Sequence, residues 1–145
     1  MKRLHLDEYF ILMAKLASLR STCIKRQVGC VFVNDKGHVL ATGYNGAASG
    51  IPHCIDKGKC LRADFSSGTH LDDCMAVHAE ENALIQCKNS FEIDTCYTTT
   101  FPCKRCLRML LNTSCKRIVY IEDYADSVKE WPRMSYRLDP KECIL

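Results

Sequence analysis

His78-Ala79-Glu80, followed by Pro102-Cys103-Lys104-Arg105-Cys106, supplies one imidazole, one carboxylate and two thiols. His78, Cys103 and Cys106 form a nitrogen-and-two-sulfur ligand set that suits zinc and leaves its fourth position for water. Glu80, one residue removed from a ligand, can reach that water without binding the metal and can move its proton. Zinc lowers the pKa of bound water to about 7, so the chemistry this set supports is hydrolysis at neutral pH.

Each piece alone says little. A lone C-x-x-C pair is often redox-active or accidental, an H-x-E is common by chance, and a closed zinc site or a core histidine would use the same residue types. In this order and after predicted strands, they make the H-x-E…P-C-x-x-C signature of the zinc nucleobase deaminases. Hydroxide would attack the amidine-like carbon of an aminated base. Glu80 would take the water proton and deliver it to the ring nitrogen, then to the leaving ammonia.

These side chains need elements to place them. The spacing predicts a helix over about 8–20, with Asp7 as its N-cap. Strands over 28–33 and 39–44 flank the turn Asp35-Lys36-Gly37 and should form a hairpin. A helix over about 76–88 carries His78 and Glu80 at its start. A strand at 96–100 leads through Pro102, a residue suited to a helix's first turn, into a helix over 104–111 that carries both cysteines. The three-residue spacing puts Cys103 and Cys106 on one face. A strand at 118–121 and a weaker helix over 127–136, interrupted by Pro132, close the pattern. Strands alternating with helices argue for a mostly parallel α/β sheet, covered on both faces and opened by one antiparallel hairpin. Its functional groups should sit at strand carboxyl ends and helix amino ends. The stretch from Asn45 to Asp73 has no clear periodicity, and a loop this long is unusual unless functional or cross-linked.

The 145 residues, 47% hydrophobic, suffice for one domain spanning 1–145 around one core. No apolar run is long enough to cross a bilayer. The N-terminal segment turns acidic too early for a secretion signal, so the expectation is a soluble cytoplasmic protein. A net charge of +3 is too mild to imply nucleic acid, while a small anionic substrate needs only a few cations. Eleven cysteines without an export signal point to metal ligation and buried thiols in a reducing compartment rather than to a disulfide scaffold. Cys30, Cys87, Cys96 and Cys115 fall in predicted elements and read as core; Cys143 lies in the tail.

Gly43-Tyr44-Asn45-Gly46, His78-Ala79-Glu80-Glu81-Asn82-Ala83-Leu84 and Thr99-Thr100-Phe101-Pro102-Cys103-Lys104-Arg105-Cys106 together resemble the deoxycytidylate (dCMP) deaminase family. Ser21-Thr22-Cys23 followed by Val28-Gly29 adds to the likeness, which covers roughly residues 9–123. The resemblance implies the cytidine-deaminase α/β/α sandwich, a mixed sheet of four to five strands. It implies hydrolysis of dCMP to dUMP and ammonia, which supplies the thymidylate precursor. By position, His78, Cys103 and Cys106 would hold the catalytic zinc and Glu80 would shuttle the proton. Asn45 would hydrogen-bond the sugar hydroxyl, although Asn-Gly is also a strong turn signal. Lys25 and Arg26, with Ser21 nearby, match the segment that meets the substrate phosphate. For each cation, a solvated surface role competes. The family is commonly a homohexamer activated by dCTP and inhibited by dTTP. Here the chain departs at its end: residues 137–145 do not read as a convincing fifth strand.

Several members of that family carry a second, non-catalytic zinc. The matching candidates here are Cys23, Cys54, Cys60, His70 and Cys74. A closed zinc site uses four ligands, so at least one is surplus. Scattered small apolar cysteines are the plainer reading of the same residues. Two other functions compete with a dCMP deaminase. One is a related deaminase acting on adenosine in RNA or on a free nucleoside. The other is a non-enzymatic zinc module, which would give Glu80 no task and lacks the basic aromatic stripe expected for nucleic acid.

Overall fold

The computed structural model describes residues 1–60, 74–124 and 127–139. Its first helix, α1 (Leu6–Ser18), is capped by His5 rather than Asp7. The His5 ring accepts from the Asp7 amide at 3.4 Å, and the Glu8 carboxylate accepts from the His5 amide at 3.1 Å. Asp7 is thereby left for a different task, an ion pair with Arg117.

Strands β1 (Gly29–Val33) and β2 (Val39–Tyr44) form the expected antiparallel hairpin. Two short strands follow, β3 (Gly46–Ala47) and β4 (Ala76–Val77), which pair with each other apart from the main sheet. Between them lies a one-turn helix, α2 (Cys54–Lys57). Residues 76–77 therefore stand outside the helix expected over 76–88. That helix, α3 (Ala79–Gln86), starts after them with His78 as its N-cap. β5 (Thr95–Thr100), α4 (Lys104–Leu111) and β6 (Arg117–Glu122) occupy the places the sequence suggests.

The last expectation fails. Residues 127–136 do not make an α-helix. Two 3-10 turns, Ser127–Glu130 and Pro132–Met134, lead into a fifth sheet strand, β7 (Ser135–Arg137). Pro132 has no N–H to continue a helix from the preceding turn, so the chain restarts and then extends. β7 pairs parallel to β6, with Val119 opposite Tyr136, and its outer edge is largely exposed.

The main sheet runs in the order β2-β1-β5-β6-β7. β1 pairs antiparallel with both β2 and β5, whereas β5-β6 and β6-β7 are parallel. The sheet is thus evenly mixed rather than mostly parallel. The side-chain period of two sorts its central strands into two cores. Cys30, Phe32, Cys96 and Ile118 face α3 and α4, where Ala79, Ala83, Leu107 and Leu110 meet them. Val31, Val33, Tyr97 and Val119 face α1 and its Phe10, Ile11 and Ala14. The result is a three-layer α/β/α sandwich. α1 lies close on β1 at Gly29, where a Cβ would stand 1.9 Å from the Ala14 carbonyl oxygen. Cys30, Cys96 and Cys115 are buried, and half-buried Cys87 packs against the same core. Cys143 lies outside the described residues.

Candidate active site

β5 ends at Thr100 and turns through Phe101-Pro102 into α4; α3 begins beside it. Two helix amino ends thus converge at the carboxyl edge of the sheet. His78 and Cys103 are the respective N-caps, both with extended backbone. Glu81 ties these two ends together. One of its carboxylate oxygens accepts from the His78 amide at 3.1 Å, and the other accepts from Arg105 at 3.1 Å.

The His78 Nδ1 atom stands 3.5 Å from the Cys103 Sγ and 3.4 Å from the Cys106 Sγ. All three ligand atoms lie within 4.8 Å of one another. Zinc with bonds of about 2.1 Å to nitrogen and 2.3 Å to sulfur would place tetrahedral N and S ligands about 3.6 Å apart, so the donor set fits that ion. The thiols respond to one another. Hydrogen bonding from Cys106 and His78 holds the Cys103 thiol well below its ordinary range, while the Cys106 thiol is driven up because its proton is spent on Cys103. The Cys103 thiolate raises the His78 pKa in turn.

Glu80 is 3% exposed, and burial raises its pKa. Its Oε1 lies 3.4 Å from the Thr98 hydroxyl, which also donates to the Thr100 carbonyl at 2.8 Å. A cavity of about 240 Å³ opens over this group. His78, Glu80 and Cys103 line it, together with the apolar Phe101 and Val28. Lys25, Arg26 and Asn45 line the same space. The arrangement suits a flat polar ring over the metal-ligand group with an anionic substituent toward the cations.

The sequence-derived residues meet differing outcomes. Lys25, Arg26 and Asn45 reach the cavity; Ser21 does not line it and gives its hydroxyl to Asn45 instead. Cys23, Cys60 and Cys74 also border the cavity. Burial raises the Cys54 thiol, and the neighbouring Cys23, Cys60 and Cys74 raise it further. These four thiols are therefore neighbours, yet among the described residues no three come within the 4.8 Å that unites His78, Cys103 and Cys106. His70 lies outside the described residues. Two residues escape a reading of motifs. Tyr124 carries the Arg26 guanidinium 5.1 Å above its ring, and Thr98 faces Glu80. Neither stands at a recognisable spacing from the H-x-E or C-x-x-C residues.

The model of the cytidine and deoxycytidylate deaminase zinc-binding region matches residues 4–122. The chain belongs to this family. It is 41% identical over 122 residues to the deoxycytidylate deaminase of Schizosaccharomyces pombe, covering 81% of this chain and 37% of the yeast protein. It is 39% identical over 127 residues to the deoxycytidylate deaminase of Mycobacterium phage D29, covering 83% of this chain and 97% of the phage protein. The dCMP deaminase of cyanophage S-TIM5, solved in complex with dCMP and dUMP, superposes with a TM-score of 0.71 at 26% identity. That superposition covers 96% of this chain and 98% of the cyanophage chain. This chain spans well under half of the yeast relative and almost all of the two phage relatives.

Proposed function

We propose that this chain hydrolyses dCMP to dUMP and ammonia. The observation that carries the reading is the buried Glu80 carboxylate beside the His78-Cys103-Cys106 group, under a cavity rimmed by Lys25 and Arg26. A neutral nucleoside would bring no charge to meet those cations, which favours the monophosphate. The names of the D29 and S-TIM5 relatives support the same substrate.

His78, Cys103 and Cys106 would hold a zinc ion, which would supply Lewis-acid activation of a water at neutral pH. Glu80 takes the proton of the attacking water and hands it to the ring nitrogen. It then takes the second proton from the newly formed hydroxyl and delivers it to the amine as the C–N bond breaks and the C=O bond forms, so one water is consumed and one ammonia leaves. Burial suits this role, because it narrows the gap between the protonated and ionised forms that the carboxyl must alternate between. Asn45 meets the sugar hydroxyl, and Lys25 with Arg26 meets the phosphate.

The reading extends to a second, structural zinc held by four of Cys23, Cys54, Cys60, His70 and Cys74, which would staple a segment poor in core contacts. The mutual proximity of Cys23, Cys54, Cys60 and Cys74 supports it. Family likeness supports a homohexamer regulated by dCTP and dTTP. The family match over most of the chain supports a single domain over 1–145. Cys30, Cys96 and Cys115, buried as small apolar residues of the core, support a reducing, cytoplasmic setting. No described helix is long and apolar enough to cross a membrane.

The decisive assay measures ammonia release from dCMP, dCTP, cytidine and deoxycytidine by the zinc-loaded protein. Preferred turnover of dCMP is expected. Preference for an unphosphorylated nucleoside would refute the substrate assignment, and no turnover of any would favour a binding module.

A further inference from the structure

Lys25 and Arg26 belong to a segment with no regular structure, between the end of α1 and the start of β1. Unpaired, such a stretch would wander, and its cations would hover over the cavity in many places. One buried side chain gathers it. The Asn45 Oδ1 atom accepts from the Ser21 hydroxyl at 2.5 Å and from the Val28 amide at 2.9 Å. The Asn45 Nδ2 atom donates to the Arg26 carbonyl at 2.8 Å. The Asn45 backbone amide adds a bond to the Val28 carbonyl at 3.2 Å. Both ends of the segment, and the residue that carries one of its cations, are thus tied to a single amide.

The pattern also fixes which way that amide points. Its oxygen faces two donors and its nitrogen faces a carbonyl, so the flipped orientation would oppose like groups. Among the described residues the second Nδ2 hydrogen has no partner, and Asn45 lines the cavity. Ser21 is 5% exposed and its hydroxyl accepts from the Cys23 amide at 3.3 Å, which aims its own proton at Asn45. Beyond the amide, the Arg26 guanidinium rests over the Tyr124 ring.

We propose that Ser21 is a positioning residue for substrate selection: through Asn45 it holds the Lys25-Arg26 segment where a substrate phosphate meets it, and so sets the preference for nucleotide over nucleoside. The proposal rests on the dCMP reading above. It reassigns Ser21 from contact with the ligand to control of the residues that make that contact.

The test is a double-mutant cycle on dCMP turnover, comparing the wild type, Ser21→Ala, Lys25→Ala with Arg26→Ala, and all three changes together. Loss of a buried hydrogen bond of this kind should raise the KM for dCMP by about tenfold with kcat nearly unchanged. Combined with the cation changes it should add less than about twofold, because the segment it positions no longer carries charge. The competitive inhibition constant of deoxycytidine, which has no phosphate but shares the sugar hydroxyl that Asn45 meets, should rise much less than the KM for dCMP, by at most about threefold in Ser21→Ala. Ser21→Thr keeps the hydroxyl and should restore most of the affinity. Should Ser21→Ala fail to fold, the near-isosteric Ser21→Cys runs the same cycle. Multiplicative losses in the cycle, or weakening of deoxycytidine as large as that of dCMP, would overturn the proposal while leaving the deaminase reading intact. No ammonia from dCMP with the wild type would remove both.

Discussion

Gly43 lies so close beneath Ala79 that a Cβ on Gly43 would stand 2.2 Å from the Ala79 carbonyl oxygen and 2.6 Å from the Ala83 amide nitrogen. Ala79 separates His78 from Glu80. The height of α3 above β2 therefore sets where the His78 imidazole and the Glu80 carboxylate stand. Gly43→Ala should force α3 outward, destabilising the fold by about 1–3 kcal/mol as overpacked sites do. It should lower turnover further than the stability loss alone explains. Urea unfolding and steady-state kinetics on the folded fraction would check both; wild-type values would mean that α3 yields without moving the site.

Glu80→Gln keeps the shape of the side chain and removes its capacity to carry a proton. With Glu80 buried and no other carboxylate lining the cavity among the described residues, nothing there replaces it. Turnover of dCMP should fall by about 10²–10⁴-fold or more, with zinc content near wild type. Elemental analysis beside an ammonia assay separates loss of chemistry from loss of metal. Residual activity within tenfold of wild type, roughly 1.4 kcal/mol in the barrier, would take Glu80 out of the mechanism.

The two thiol groups should part company on substitution. Cys103→Ala removes a ligand from the compact group, and should lose one zinc per chain together with all activity. Cys54→Ser acts on the looser cluster. It should lose the other zinc, lower the unfolding midpoint and leave the catalytic zinc in place. Two zinc ions per wild-type chain are expected by elemental analysis; one ion in fully active protein would count against the second site.

How far the chain could be read without coordinates differs by element. α4 and β5 were legible because Pro102, the three-residue cysteine spacing and a β-branched run all point the same way. The ligand group was legible for the same reason, since its spacing is itself a geometric statement. β7 was hidden: three residues at an edge, with Tyr136 and Arg137 largely exposed, carry no alternation long enough to register. The antiparallel pairing of β1 with β5 was hidden too, because strand neighbours far apart in sequence leave no mark in local pattern. Ser21 was drawn to the ligand by its place in a motif, but a hydroxyl in a cationic segment can serve the ligand or the segment. The 2.5 Å bond to Asn45, which no local pattern reveals, is what supports the second role.

Asp7 and Arg117 bring together the start of α1 and the start of β6, far apart in sequence. Two oxygens of Asp7 take two guanidinium nitrogens, one at 2.9 Å, and the Tyr97 hydroxyl donates to Asp7 at 2.7 Å. Burial alone would raise the Asp7 pKa, but hydrogen bonds from Arg117 and Tyr97 outweigh it and hold the carboxyl below its ordinary range. A carboxyl with a lower pKa folded than unfolded binds fewer protons when folded. Its contribution to stability is therefore complete well above the unfolded value of about 3.9 and is lost as pH falls toward the folded value. Asp7→Asn should cost about 1–2 kcal/mol near neutral pH, allowing for the partial exposure of Arg117. The gap between variant and wild type should narrow as the pH is lowered below about 4, where the wild-type carboxyl also loses its charge. Urea unfolding of both proteins across that range measures it. A difference independent of pH would show that Asp7 stabilises the chain through packing rather than charge.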